Sequence, residues 1–223
     1  MNRLRLIRNG DRAVALPDEF LESEIMSRTD APTSNKIKSP IKYYVEFGGS
    51  EGIWAYWDGE KNVRADALDF VVMDVRSSVG GWSESNNCRI HSNIVKSTKT
   101  PFVVRAGKVV IVEGPYADIK NEIIAAGGKF VTNIFALAYI DDVWTPVDIQ
   151  FSGACLRDWS AFVETTGLAN VYNSVIAASK GEQQKKGAVK YFTPTFATAN
   201  LPASVEALAD EFCREKLAPY LDQ

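Results

Sequence analysis

The sequence predicts a mostly β protein that also contains helix. Short segments rich in β-branched and aromatic residues recur along the chain, bounded by glycine or proline, as is typical of strands. One segment with helical spacing interrupts them, between Pro115 and the pair Gly127-Gly128. Hydrophobic residues make up 46% and charged residues 24% of the 223 residues, which is the composition of an ordinary globular protein.

The first strands are predicted in an aromatic hairpin, YYVEFGGSEGIWAYWDG, at residues 43–59. Because strand side chains alternate, Trp54 and Tyr56 lie on one face of the second strand and Trp57 lies on the other. A half-buried sheet needs only one apolar face. One set of rings is therefore expected either beneath a second layer or at a ligand. We predict that at least two of the four rings Trp54, Tyr56, Trp57 and, outside the hairpin, Trp82 are exposed.

Further strands and one helix are predicted in order after the hairpin. Residues 67–77 form a strand, RIHSNIV and PFVVR are short candidates, and residues 108–113 are a stronger one. Pro115 suits a first helical turn and Gly127-Gly128 a helix end. Between them Tyr116, Ile119, Ile123 and Ala126 recur at helical spacing, so one face of this helix is expected to be buried.

A second hairpin and a second helix complete the central region. Residues 129–140 and 143–151 are predicted strands, and Asp141-Asp142 suits a tight turn between them. Residues 154–164 predict a short amphipathic helix. The order is therefore several strands, one helix and two strands. A five-stranded barrel of the oligonucleotide-binding type carries its helix between strands 3 and 4, so we predict that barrel, with an α+β sandwich as the alternative.

Three regions follow from this interpretation: an N-terminal lead-in (1–40), the barrel domain (41–166) and a C-terminal extension (167–223). The lead-in includes a polar, proline-containing segment. The extension begins with a basic, glycine-containing link, 179–192, and ends in a predicted helix, 201–221. The apolar stripe of this helix comprises Val205, Leu208, Phe212 and Leu217. It is expected to pack either on its own domain or on a neighbouring subunit.

The sequence offers little for catalysis. His91 is the single histidine, which excludes a His-rich metal site, and no phosphate-binding glycine motif is present. The three cysteines are far apart and suit free thiols in a reducing cytoplasm. We therefore expect no enzyme activity and no cofactor. No apolar run of about twenty residues occurs, so no membrane span is expected, and the N-terminus does not resemble a secretory signal.

The positive signal is a local basic run in a chain whose net charge is −3. From residue 88 to 112 there is no Asp or Glu. The basic side chains of this run are Arg89, His91, Lys96, Lys99, Arg105 and Lys108. Trp82 stands just before the run. Basic side chains along a phosphate backbone, combined with aromatic rings for bases, are typical of proteins that bind single strands without sequence preference. The alternative is a solvated charged surface with the tryptophans in the core.

Two segments resemble a group of single-stranded DNA-binding proteins encoded by bacterial viruses. They are GGWSESNNCRIHSNIV and FVVRAGKVVIVEGPYADIKNEIIAAGGKFVTNIFALAY, and the resemblance covers roughly residues 41–165. It implies an oligonucleotide-binding barrel that protects single strands during viral DNA replication or recombination in the host cytoplasm. The positions it singles out are Gly81-Trp82, Ser92-Asn93 and Gly128-Lys129. The C-terminus, APYLDQ, lacks the acidic tail with which many such proteins recruit partners.

The sequence thus predicts a non-catalytic single-stranded DNA-binding protein whose partner is single-stranded DNA. Self-association through the C-terminal helix is a further expectation. The alternatives are a carbohydrate-binding or virion structural β-module and a metal-dependent nuclease. The predicted DNA-binding residues are Trp54, Tyr56, Trp57, Trp82, Arg89, His91, Asn93, Lys96, Lys99, Arg105, Lys108 and Lys129.

Overall fold

The computed structural model describes residues 6–9, 12–15 and 37–223, and the protein is mostly β, with 51% strand and 26% helix. Two compact units divide the chain, Met1–Ile37 and Lys38–Gln223. In the first unit, β1 (Leu6–Asn9) and β2 (Arg12–Ala15) form an antiparallel pair. The rest of the predicted lead-in up to residue 36 lies outside the described residues.

The second unit is built on an open mixed sheet of eleven strands. The strands are β3 (Tyr43–Gly48), β4 (Ile53–Trp57), β5 (Asn62–Ala65), β6 (Ala67–Ser83), β7 (Cys88–Ser92), β8 (Phe102–Ala106), β9 (Val109–Gly114), β10 (Gly128–Ile140), β11 (Val143–Phe151), β12 (Ser174–Lys186) and β13 (Val189–Asn200). Nine of them follow the order β5-β4-β3-β11-β10-β6-β7-β8-β9, and the β12–β13 hairpin attaches to β6. The prediction of a closed five-stranded barrel is therefore wrong, because additional strands extend the sheet from both sides of β6.

Strand β6 organises the sheet because different parts of it pair with different neighbours. Residues 70–81 pair with β10 along one edge. On the other edge, residues 67–70 pair with β12 and residues 80–83 pair with β7. These pairings are antiparallel, whereas β11 and β3 pair in parallel. Since β6 extends through Gly80-Gly81, the strand predicted over 67–77 is longer than its sequence pattern indicated.

The predicted basic link is also a strand pair. Residues 179–192 belong to β12 and β13, which pair along most of their length. The first half of β12 is apolar and pairs with β6, while its second half is polar and exposed. Strands β12 and β13 therefore belong to the same sheet as the predicted barrel domain, and residues on both sides of the boundary predicted at residue 166 lie in one compact unit.

The helices cover the sheet at separate places. They are α1 (Tyr116–Ala125), α2 (Gly153–Thr166), α3 (Leu168–Tyr172), α4 (Ala203–Phe212) and α5 (Ala218–Leu221), with a π-helical turn, Cys213–Leu217, joining the last two. The helices predicted over 115–126 and 154–164 are confirmed as α1 and α2. None of the helices in the described part of the chain is long and apolar enough to cross a membrane.

The core consists of three hydrophobic clusters. The first lies under α2 and contains Trp54, Phe70, Phe151 and Trp159. The second lies on the opposite face of β6, where α4 and the π-helical turn pack on Val71, Met73, Phe135 and Leu137. The third joins α1 to β6, β7 and β8 through Val79, Ile90, Phe102 and Ile123. Consecutive residues of β6 alternate between the first two clusters, as strand geometry requires.

The C-terminal helix packs on its own domain. Val205 and Leu217 are buried, and Phe212 is partly buried, in the second cluster. Leu208, the fourth member of the predicted stripe, is exposed. The apolar face that predicted self-association through this helix is therefore used within the chain.

Candidate nucleic-acid interface

Strand pairing brings five of the predicted site residues together on the outer face of the sheet, the face opposite the first cluster. Trp82 lies opposite Arg89, and residue 80 lies between Lys129 and His91 on its two sides. His91 in turn lies opposite Arg105. Because paired residues share a face, all five side chains project from one side of β10, β6, β7 and β8. We call these five residues the basic face.

A cleft of about 360 Å³ lies within this surface. Trp82, Arg89 and Lys129 line it together with glycine backbone at 80 and 81. Its remaining lining residues are Glu46, Val131, Gln150 and Ser152. The cleft therefore combines an exposed indole ring, two cations, one carboxylate and glycine backbone.

Two glycines fix the position of Trp82 relative to Lys129. Gly81 lies opposite Gly128, and a Cβ on Gly81 would overlap the carbonyl oxygen of Gly127 and lie 2.9 Å from Cα of Gly128. Gly127 has φ +92°, and a Cβ there would overlap the carbonyl oxygen of Trp82. Only glycine permits this close backbone approach. The motifs GGW and GGK, which the resemblance singled out, thus meet in space.

The four candidate rings divide evenly between surface and core. Trp57 is 60% exposed and Trp82 is 47% exposed, which confirms the prediction that at least two rings are accessible. Trp54 and Tyr56 are buried, so their assignment to DNA binding is wrong. Trp54 packs against Phe47 with ring centroids 5.2 Å apart, because its side of β4 faces the first cluster.

Tyr44 is an exposed ring that the sequence interpretation did not include among the site residues. The pairing of β3 with β11 and β4 places Tyr44, Glu46 and Trp57 on the outer face, and Glu46 lies opposite Gln150 in the cleft wall. The outer face therefore continues from the basic face to two further exposed rings, Tyr44 and Trp57. The alternation of Tyr44 with Val45 along β3 is the sequence signal that could have identified Tyr44.

The remaining predicted residues lie in connections. Lys96 and Lys99 are exposed in the loop between β7 and β8, and Lys108 is exposed in the β8–β9 turn. The Asn93 side chain is used within the protein: its Nδ2 donates to the carbonyl oxygen of Pro101 (3.2 Å), and its Oδ1 accepts from the backbone N–H of Val103 (2.7 Å). The Asn93 side chain therefore closes a loop, and its role in DNA binding stays a prediction.

Three cations of the basic face have no acidic partner. The ion pairs within residues 37–223 do not include Arg89, Arg105 or Lys129. Arg76 differs, because it is buried and contacts Asp74 at 2.8 Å and Asp222 at 3.4 Å. Arg76 is therefore neutralised internally, whereas the three free cations remain available to an anionic ligand.

A buried polar network supports the sheet beside the cleft. The Asp148 carboxylate accepts hydrogen bonds from Asn133 Nδ2 (2.9 and 3.1 Å) and from Gln150 Nε2 (2.9 Å). Ser78 Oγ donates to Asn133 Oδ1. Burial raises the pKa of Asp148, and the two amide hydrogen bonds partly oppose that rise. The network joins β6, β10 and β11 and fixes the orientation of Gln150, which lines the cleft.

Comparison of the chain with protein-family models, with curated proteins and with solved structures gives no match. The case for a function therefore depends on the residues of the outer face.

Proposed function

We propose that this protein binds single-stranded DNA without sequence preference and without catalysis, in viral DNA replication or recombination. The observation that carries the proposal is the basic face, where three cations without an ion pair share one side of the sheet with the exposed ring of Trp82. Cations provide phosphate contacts, and exposed rings provide stacking surfaces that accept any base.

The exposed rings favour a single strand over a duplex. Bases in a duplex stack on one another, so their faces are inaccessible to a protein side chain, whereas an unpaired strand can turn its bases onto aromatic rings. Trp82 and Trp57 project from the same face as the cations, so one extended strand can contact rings and cations together. Stacking on each ring contributes about 1–3 kcal/mol to binding.

The predicted oligonucleotide-binding barrel supports this proposal only through the order of its elements along the chain. Strands β8 and β9, helix α1, and strands β10 and β11 follow one another as in the predicted barrel. We propose that this portion serves as the strand-binding module, even though it belongs to an open sheet of eleven strands.

Intrinsic fluorescence tests the proposal directly. Titration with an unstructured oligothymidylate should quench the wild-type signal, and a W57F/W82F variant should retain fluorescence from Trp54, Trp144 and Trp159 but lose most of the quench. Buried Trp159 should not respond to ligand. Absence of both quench and binding at low salt would refute the proposal.

A carbohydrate-binding role is the competing function, and a specific observation favours it. Tyr44 and Trp57 are exposed rings on the outer face, and neither of them lines the cleft that contains the cations. Sugars stack on aromatic rings and need no cations. Binding of a neutral oligosaccharide with no dependence on salt, and no binding of the oligothymidylate, would replace the DNA proposal with this one.

A further inference from the structure

Strand β9 presents an apolar edge to solvent. It is the last strand on its side of the sheet, paired with β8 and with no other strand of the described chain. Three consecutive aliphatic residues in it are exposed: Val109 by 67%, Val110 by 45% and Ile111 by 37%. A bulge opposite Val104 and Arg105 leaves Ile111 without a direct partner on β8.

Such an edge needs an explanation because unpaired strand edges attract other strands. Natural proteins protect an edge by placing charged side chains within it, by keeping it short or by covering it. In β9 the charges stand only at the ends: Lys108 immediately precedes the strand and Glu113 is near its end. The bulge at Ile111 interrupts the strand but leaves the three aliphatic side chains exposed, and an exposed apolar run of this kind is typical of an interaction surface.

The charges identify a second copy of this chain as the occupant. In an antiparallel pair of two β9 strands centred on Val110 and Ile111, Lys108 of each copy lies near Glu113 of the other, and the aliphatic residues meet in the middle. A parallel pair would instead bring like charges together. An antiparallel pair of identical strands also closes under two-fold symmetry, so it produces a dimer and not a filament. We propose that the protein dimerises by antiparallel pairing of β9 with β9.

The dimer has a consequence that depends on the proposed function. The two-fold axis of an antiparallel strand pair is perpendicular to the sheet, so both copies present the same face on the same side. Arg105 and His91 lie on the two strands next to β9. Pairing therefore joins the two basic faces into one surface along which a single strand can continue from one copy to the next.

Sedimentation equilibrium without DNA tests the dimer itself. The wild-type protein should change with concentration from the 24.6 kDa of one chain towards twice that mass. A V110K/I111K variant places like charges at the centre of the pair and should weaken dimerisation by about tenfold or more. The control V143K places a lysine at another exposed apolar position, in the β10–β11 turn region, and should dimerise like wild type.

Two results would overturn the inference: a wild-type protein that stays monomeric at every concentration, or a V110K/I111K variant that dimerises like V143K. Circular dichroism establishes that both variants remain folded, which their exposed positions favour, and amide exchange provides a second measurement. Residues 109–113 should exchange more slowly in concentrated than in dilute wild-type protein. A wild-type protein that stays monomeric but binds oligothymidylate refutes this inference alone, whereas a wild-type dimer that binds no oligothymidylate refutes the proposed function alone.

Discussion

The salt dependence of DNA binding follows from the number of unpaired cations on the basic face. Arg89, Arg105 and Lys129 are the three, and each phosphate contact on a single strand adds about 0.7 to the slope of log K against log salt. Three contacts give a slope of about −2.1, so affinity should fall roughly twentyfold between about 50 and 200 mM salt. Each single substitution, R89Q, R105Q or K129Q, should reduce the magnitude of the slope by about 0.7.

Fluorescence anisotropy of a labelled oligothymidylate at four salt concentrations measures these slopes. Lys120→Gln is the matched control, because Lys120 is an exposed cation on α1. That helix packs on Ile90 in the third cluster, and Ile90 alternates with Arg89 and His91 along β7, so α1 lies on the other side of the sheet. The control should keep the wild-type slope.

If the triple variant R89Q/R105Q/K129Q shows the wild-type slope of log K against log salt, these three cations do not contact phosphate. The assignment of phosphate contacts would also be refuted if a single substitution changed base preference and left the slope unchanged, because phosphate contacts carry no base information. A uniform loss of affinity across oligonucleotide sequences is the expected result.

Three further predictions concern the folded state. G81A should lower the free energy of unfolding in urea by about 3 kcal/mol, because its Cβ meets backbone that cannot move aside, and a loss below about 1 kcal/mol would contradict this. L217A should lower the free energy of unfolding by about 2–5 kcal/mol, because Leu217 in the π-helical turn is fully buried. L208A, at an exposed position of α4, should lower it by less than about 1 kcal/mol, and equal losses would contradict the observed packing. Burial raises the pKa of Asp148 in the folded state. Between the unfolded pKa of about 3.9 and the raised value, the native state therefore binds more protons than the unfolded state. The free energy of unfolding of the wild type should fall as pH rises through that window. D148N should lack this contribution, and identical pH profiles for the two proteins would exclude it.

Local signals in the sequence predicted the elements around α1 well. Pro115 and Gly127-Gly128 bound a helix observed at Tyr116–Ala125, and the strand predicted over 143–151 is observed at those residues. Asp141 and Asp142 form the predicted turn, with φ of +50° and +63°. These features depend on the residues within each segment, so a sequence pattern is sufficient to identify them.

Features that depend on distant pairing were not predictable in the same way. Residues 183–187, QQKKG, contain no apolar side chain that would indicate a strand, and they belong to a hairpin whose apolar start in β12 pairs with β6. Gly80-Gly81 resembled a strand end, yet the close approach of β10 requires glycine inside the strand. The two hydrogen bonds of the Asn93 side chain also depend on residues further along the chain, Pro101 and Val103.

The candidate site was predicted in part, for the same reason. The acid-free run contains Arg89, His91 and Arg105, and these three share a face because paired residues project from the same side of a sheet. It also included Lys96 and Lys99, which have the right charge but lie in a loop. Charge can be read from a sequence directly, whereas the face on which a charge lies depends on strand register.

Strand β6 takes part in all three hydrophobic clusters, which has a consequence for how the protein unfolds. Phe70 belongs to the first cluster, Val71 to the second and Val79 to the third. Disrupting any one cluster would remove packing contacts from β6, and the other two clusters also depend on β6. Residues Lys38–Gln223 should therefore unfold in a single cooperative transition. Amide protons near the middle of β6 should then exchange only through global unfolding. A ligand held at Trp82, near the end of the same strand, would accordingly slow exchange across the whole unit and not only at its own contacts.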